Sequence, residues 1–524
     1  MVTVLDYGAG NIRSVVNAIY KLGFKVKFVQ SPNDIISADR LVFPGVGAFG
    51  EIMDSLRKKS FIEPLIEYLK SNRPFLGICL GLQVLFEESE EAPGISGLGV
   101  FKGKVRRLRT SLSVPHIGWN GIKVHKPSSL FHGLEGHERF YFVHSYVVEP
   151  ADPNIVLTTT DYGEEFVSSV EEGNIIGTQF HPEKSGKIGL KVLNNFLKSS
   201  QKSLPRLCPQ KTALSKRILV CLDVRTDDKG QIVVTKGDKY DVRDKETKKV
   251  RNLGNPVEMA EKYFEDGADE VVFLNITGFR NYPLLDMPML KLLKDTSQNV
   301  FVPLAIGGGI RAYTDDKGNY YSALEVASEY FRSGADKVSI GSDAVYIAQD
   351  LIRFGASGKS SIEEISRVYG SQAVVVSIDP KRVYVQSPKS TKHKVIETDI
   401  PGPNGERYCY FICTVKGGRE VSDIDAITLA EIVEKLGCGE ILLNSIDRDG
   451  TKMGFDIELI NAVSQAVSIP VIASSGAGKS EHFLEVFLNT KAQAALGAGI
   501  FHRNELSIKE VKEFLRSYVP VRVD

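Results

Sequence analysis

Between residues 214 and 524 the chain repeats one pattern, and this duplication narrows the possible folds more than any other feature. The run Ile218-Leu-Val-Cys-Leu-Asp223 is matched by Val374-Val-Val-Ser-Ile-Asp379, each an apolar stretch ending in aspartate with Arg or Lys within two residues. Gly267-Ala-Asp-Glu270 before an apolar run is matched by Gly437-Cys-Gly-Glu440 before another. Val302-Pro303 leads to Gly307-Gly308-Gly309 as Ile469-Pro470 leads to Ser474-Ser475-Gly476. The copies lie 156 to 170 residues apart, which implies two homologous halves. Eight apolar strand-like runs recur, at 218–222, 271–274, 302–306, 338–340, 373–378, 441–443, 471–473 and 494–496, mostly separated by helix-like stretches. Eight β–α units at this spacing predict a closed (β/α)8 TIM barrel.

A parallel barrel performs its chemistry at the C-terminal ends of its strands. Asp223 and Asp379 therefore face each other across one mouth, as a general acid/base pair can. A strand-end Asp is otherwise a common helix cap, so the duplication is what favours chemistry. Gly308 and Gly309 with Ser342 form one candidate anion loop. Asp449-Gly450-Thr451 with Ser475, Gly476, Ala498 and Gly499 form the other. Exposed N–H groups in such loops cradle anions, and two of them predict a ligand with a phosphate at each end. At the opposite end, Arg217, Glu270, Lys337 and Glu440 stand at strand starts with signs that could pair into a ring; solvated surface charge is the plainer alternative.

The first 200 residues alternate short apolar strands with amphipathic helices. Ser199 to Gln210 is polar and proline-punctuated, a linker signature. The predicted organisation is 1–200, a linker at 201–213, and the barrel at 214–524. Within the first unit, Cys79 follows the apolar run 74–78 and precedes a helix-like run from Leu80 to Glu88. A thiol on a strand-to-helix turn is exposed to substrate, and a helix N-terminus lowers its pKa. His181 can take the thiol proton and Glu183 can orient the imidazole.

At 524 residues the chain is long enough for several domains. It carries 65 basic and 65 acidic residues, so no broad electrostatic pull toward nucleic acid or a membrane surface is implied. No apolar run reaches the roughly 18 residues that span a bilayer, and the N-terminus enters a strand at once, without a signal-peptide pattern. Six cysteines lack metal-ligand spacing, which argues for a reducing compartment and against a structural metal. Gly478-Lys479-Ser480 and Gly358-Lys359-Ser360 end like a P-loop but lack its earlier glycine, and read as loop or helix starts. Cys409 and Cys413 read as packing.

Gly77-Ile-Cys79-Leu-Gly81-Leu-Gln83 with His181-Pro-Glu183 resembles the class I triad glutamine amidotransferases, whose N-terminal fold is flavodoxin-like α/β. The resemblance implies ammonia release through a Cys79 thioester, with His181 as base and Glu183 as its orienter. It also implies an oxyanion strand at Pro44-Gly45-Val46-Gly47 and glutamine contacts from Gly47, Gln83, Glu91 and the His144-Ser145-Tyr146 stretch. The barrel is similar to the cyclase of histidine biosynthesis through Cys221-Leu-Asp223, Ser377-Ile-Asp379, Ser445-Ile-Asp447-Arg-Asp449-Gly-Thr451 and Ala495-Leu-Gly-Ala-Gly-Ile-Phe-His502.

Nearly the whole chain thus resembles the bifunctional imidazole glycerol phosphate synthases of fungi and plants. That family joins glutamine-derived ammonia to the bisphosphate PRFAR, giving imidazole glycerol phosphate and AICAR, with no cofactor. The resemblance further implies Lys236 as a mobile-loop contact, the four strand-start charges as an ammonia gate, Lys184 with Asp336 as an interface pair, and a monomer with docked domains. It implies a cytoplasmic location, or a plastid one if a transit peptide has been removed. The chain departs from separate cyclase subunits at Gly341, usually Asn, and at Asn275, often Asp. Segments 312–322 and 381–419 are insertions with no assigned role. A related barrel isomerises the preceding intermediate but needs no ammonia. A purely regulatory barrel would be expected to lose one strand-end Asp, and both are present.

Overall fold

The computed structural model describes residues 1–8, 10–198, 212–227, 230–235, 252–276, 284–355 and 358–523. Lys236 and most of the expected linker, through residue 211, lie outside the described residues.

The N-terminal unit is built on a mixed sheet whose parallel part runs Val26–Phe28, Val2–Val4, Leu41–Gly45, Phe75–Cys79, Ile175–Thr178. In the central strands Leu41–Gly45 and Phe75–Cys79, buried side chains on both faces explain why the sequence reads as continuous apolar runs, whereas the edge strand Val26–Phe28 is partly exposed. The order places the strand ending at Cys79 between the strand ending at Gly45 and the one leading to His181. Beyond it the sheet turns antiparallel through Glu165–Glu172, Tyr146–Pro150 and Gly103–Arg107. A separate ribbon, His116–Asn120 paired with Phe140–His144, faces the second unit, and its Ile117, Trp119 and Tyr141 belong to the barrel's own apolar cluster.

The second unit is a closed barrel of eight parallel strands: Arg217–Thr226, Glu270–Asn275, Leu304–Gly307, Lys337–Ile340, Val374–Ile378, Glu440–Asn444, Val471–Ser474 and Ala494–Gly497. Pairing of the first strand with the last closes it. Every predicted strand-like run overlaps one of these. Inward-facing Leu219, Cys221, Val272, Ala305, Val375, Leu442, Ile472 and Leu496 form a cluster distinct from the strand–helix core, as alternation along barrel strands requires.

Segment 312–322 forms a small hairpin, Tyr313–Thr314 against Tyr320–Tyr321, turned around the Asp315 carboxylate. Segment 381–419 lies within a four-stranded antiparallel sheet of Pro380–Val385, Ile396–Glu397, Tyr408–Val415 and Glu420–Asp425. The two P-loop-like segments begin helices Ser361–Tyr369 and Ser480–Asn489, and Cys409 and Cys413 are fully buried. The two units meet at the bottom of the barrel. Asn11 donates to Asp336 (2.7 Å) and to the Gly334 carbonyl (3.0 Å), and the Gly186 N–H donates to the Phe301 carbonyl (3.0 Å).

Candidate active sites

Cys79 sits at the strand-to-helix turn with φ 52° and ψ −103°, a strained conformation for a non-glycine residue. Crowding holds it there. A Cβ on Gly77 would collide with the Gly81 carbonyl, and one on Gly81 with the Phe43 carbonyl, so the helix start can approach the sheet only through glycine. The helix itself is shorter than the sequence suggests: Leu80–Gln83, one turn, after which the chain continues to a short strand at Glu88–Ser89. Its dipole is correspondingly small.

His181 follows the neighbouring strand, and its Nδ1 lies 2.8 Å from Glu183 Oε1, with both side chains buried. Burial alone would favour the neutral ring. Glu183 and Cys79 outweigh it and push His181 up to about 10, toward an imidazolium beside the sulfur. A contact absent from the sequence reading comes from Gln179, fully buried, whose Nε2 donates to Cys79 Sγ at 3.3 Å.

Cys79, His181, Glu183, Gly47, Gln83, Glu91, Ser145 and Tyr146 line one cavity. Two of the expected glutamine contacts are already partly committed. Gln83 Nε2 donates to the Tyr146 carbonyl (3.0 Å) and to Gln179 Oε1 (3.1 Å), so its Oε1 is the end left for a ligand. Glu91 accepts the Phe49 N–H (2.9 Å), and burial pushes its carboxyl up to about 6. In the expected oxyanion strand, the Val46 N–H donates to the Tyr7 hydroxyl (3.0 Å), and that hydroxyl donates back to the Val46 carbonyl (2.6 Å). This N–H therefore serves the buried phenol in this conformation.

The same cavity extends to Tyr141, Lys184, Asp336 and Lys337, at the bottom of the barrel. Lys184 Nζ lies 2.6 Å from Asp336 Oδ2, an ion pair across the two units. Behind it the four strand-start charges form the expected ring, fully buried: Arg217 to Glu270 (3.1 Å), Lys337 to Glu270 (2.8 Å), Lys337 to Glu440 (2.7 Å), and Arg217 against Glu440. Two cations alternate with two carboxylates, so each buried charge is flanked by opposite ones.

At the other end, the mouth gathers the remaining predicted residues among those described. Asp223 lies near the end of the first strand and Asp379 just past the fifth. Asp379 Oδ1 accepts from Asn444 Nδ2 (2.8 Å), and burial pushes its carboxyl above the ordinary range. Gly308 and Gly309 (φ 87° and 83°) follow strand three, and Ser342 opens the helix after strand four. Asp449 and Gly450 follow strand six, Ser475 and Gly476 strand seven, and Ala498 and Gly499 strand eight. A Cβ at Gly341 would meet nothing within 4 Å, so the departure there leaves open space beside the backbone. Asn444, like Gln179, escaped the sequence reading because its partner lies 65 residues away.

Comparison with known proteins agrees with this architecture. The family model for class I glutamine amidotransferases matches residues 3–199, and that for histidine biosynthesis proteins matches 217–507. Fold and sites thus define a glutamine amidotransferase joined to a histidine-biosynthesis barrel. The chain is 57% identical over 523 residues to the chloroplastic imidazole glycerol phosphate synthase hisHF of Arabidopsis thaliana, covering 98% of this chain and 88% of the relative. It is 52% identical to the Schizosaccharomyces pombe hisHF enzyme, covering 98% of each. Its barrel is 42% identical to the HisF subunit of Methanothermobacter thermautotrophicus over 59% of this chain and all of the relative. The chain belongs to the fused imidazole glycerol phosphate synthase family, and it is an enzyme of histidine biosynthesis.

Proposed function

We propose that glutamine is hydrolysed at Cys79 and that its ammonia travels inside the protein to the barrel mouth, where PRFAR becomes imidazole glycerol phosphate and AICAR. The observation that carries this reading is the single cavity running from the Cys79 sulfur to Lys337 at the barrel's lower end.

In the first half-reaction, the Cys79 thiolate attacks the glutamine carboxamide carbon. A C–S bond forms and the carbonyl π pair moves onto oxygen. Collapse re-forms the carbonyl and breaks the C–N bond, with the His181 proton passing to the departing nitrogen. Neutral His181 then takes a proton from water, which hydrolyses the thioester and releases glutamate. Gly47, Gln83 through Oε1, Glu91, Ser145 and Tyr146 hold the amino acid, and the strand Pro44 to Gly47 faces the developing oxyanion.

Ammonia then passes Lys184 and Asp336 and the ring of Arg217, Glu270, Lys337 and Glu440. It rises between the apolar side chains of the barrel interior, away from bulk water that would protonate it. At the mouth, Asp223 and Asp379 exchange protons with PRFAR. Gly308, Gly309 and Ser342 hold one phosphate, and Gly450, Ser475, Gly476, Ala498 and Gly499 the other, with Asp449 beside them. Lys236 is assigned to the same substrate. The domains work within one chain, as a monomer, with 201–213 as their linker. A reducing compartment, cytoplasm or plastid, suits the five described cysteines, all unbridged.

The test is Cys79→Ala. Glutamine-dependent synthesis should vanish while ammonia-dependent synthesis stays near the parent rate. Loss of both in a folded variant contradicts the separation of sites.

A further inference from the structure

We infer that Gln179 is a catalytic residue of the glutaminase: its amide N–H donates to the Cys79 sulfur and holds it as thiolate, in an orientation fixed by Gln83. The inference rests on Cys79 being the nucleophile.

The orientation follows from one carbonyl. The Tyr146 carbonyl can only accept, so the Gln83 atom 3.0 Å from it is the amide nitrogen. That nitrogen also donates, at 3.1 Å, to Gln179, which must therefore present its oxygen. The other end of Gln179, Nε2, is then the end 3.3 Å from Cys79 Sγ, so a donor and not a lone pair faces the sulfur. Gln179 is fully buried and its backbone N–H is tied to the Ser168 carbonyl (2.9 Å), which leaves its side chain little freedom to turn away.

A donor in this place supplies what the one-turn helix after Cys79 lacks. The charge on sulfur is offset on one side by His181, with Glu183 behind it, and on the other by a neutral amide whose hydrogen bond strengthens when the sulfur ionises. The remaining titratable neighbours are Tyr7, and Glu91, His144 and Lys184 across the cavity. None of them makes a hydrogen bond to the sulfur among the described residues. The chain Tyr146–Gln83–Gln179–Cys79 also joins the wall of the glutamine pocket to the reacting atom. A glutamine side chain contacting Gln83 Oε1 therefore touches the group that orients the donor.

The experiment measures inactivation of the Cys79 thiol by iodoacetamide as a function of pH, on the full-length chain, read by mass spectrometry as the alkylated Cys79 peptide so that no turnover is needed. Alkylation needs the thiolate but not the glutamine pocket, so it separates sulfur ionisation from substrate binding. Gln179→Met keeps length and removes the donor, and its inactivation midpoint should move up by about one pH unit, roughly tenfold less thiolate at a given pH below the midpoint. Gln179→Glu should move it further, by placing a carboxylate against the sulfur. Gln83→Met, which frees Gln179 to flip, should move it in the same direction by less. Ammonia-dependent synthesis at the parent rate reports that each variant is folded. Midpoints unchanged from the parent in both Gln179 variants overturn the inference. Glutamine hydrolysis surviving in Cys79→Ala would instead overturn the assignment of the nucleophile.

Discussion

At the turn after the fourth strand of the N-terminal sheet Cys79 is fixed by backbone crowding within one sheet, whereas at the barrel mouth Asp379 is fixed by hydrogen bonds from outlying segments. The elbow holds Cys79 at positive φ because Gly77 and Gly81 let the following turn press against Phe43. Such strain costs on the order of 1–3 kcal/mol and persists only where neighbouring structure imposes it. The mouth relies on additions to the barrel. The inserted sheet donates the Thr414 N–H and hydroxyl to the Asp379 carbonyl (2.9 and 2.7 Å), the Arg382 N–H to Asp447 (2.7 Å), and the Lys416 N–H to Ser342 Oγ (2.9 Å). The segment that the sequence left without a role thus grips three loops of the barrel mouth. One site is rigid because of its glycines, and the other is organised by what surrounds it.

The comparison predicts that the two sites can be broken separately. Asp379→Asn and Asp223→Asn should each lower cyclisation at least about 10²-fold, as expected for a lost acid/base group. Both should still bind PRFAR through the phosphate loops, measured by calorimetric titration, and both should hydrolyse glutamine. Near-normal cyclisation in both variants removes the proposed roles.

The link between the sites should break next. Arg217→Ala leaves Glu270 and Glu440 with Lys337 alone, which should destabilise the fold by about 3–5 kcal/mol. In the molecules that remain folded, more glutamate should form per imidazole glycerol phosphate. Denaturant titration and paired product assays measure the two effects, and an unchanged one-to-one ratio counts against the gate.

The smallest effect sharpens the elbow. Burial raises Glu91 in the folded chain to about 6, above its ordinary value near 4.5. The folded state therefore binds this proton more tightly, and the associated stability is fully present below about pH 4.5 and lost as pH rises through about 6. Glu91→Gln removes that dependence. The variant should gain stability relative to the parent between pH 4.5 and 7, read as a change in the Tm difference. A constant difference contradicts the burial argument.

The barrel was legible because each of its strands is an apolar run closed by glycine, serine, asparagine or aspartate, and because the halves repeat. The ring was legible for a related reason: Arg217, Glu270, Lys337 and Glu440 each open a strand, and parallel strands bring their starts together. Contacts made at long range were not legible. Gln179 meets Cys79 across 100 residues, and Asn444 meets Asp379 across 65. Neither pairing leaves a periodicity or a motif. The helix after Cys79 was read too long because Val84, Leu85 and Phe86 continue its apolar pattern, although they are buried in the core beyond the end of the helix at Gln83. The Tyr7–Val46 pairing was hidden in the same way, since a buried phenol needs a partner that spacing alone does not name.

The central claim is that ammonia travels from Cys79 to the barrel mouth without mixing with solvent. The direct measurement supplies glutamine labelled with ¹⁵N at its amide, together with PRFAR and excess unlabelled ammonium, and weighs the imidazole glycerol phosphate formed. The account predicts that the product carries the labelled nitrogen nearly undiluted, and that Arg217→Ala admits unlabelled nitrogen. Dilution of the label in the parent enzyme to the proportion of free ammonium would contradict it.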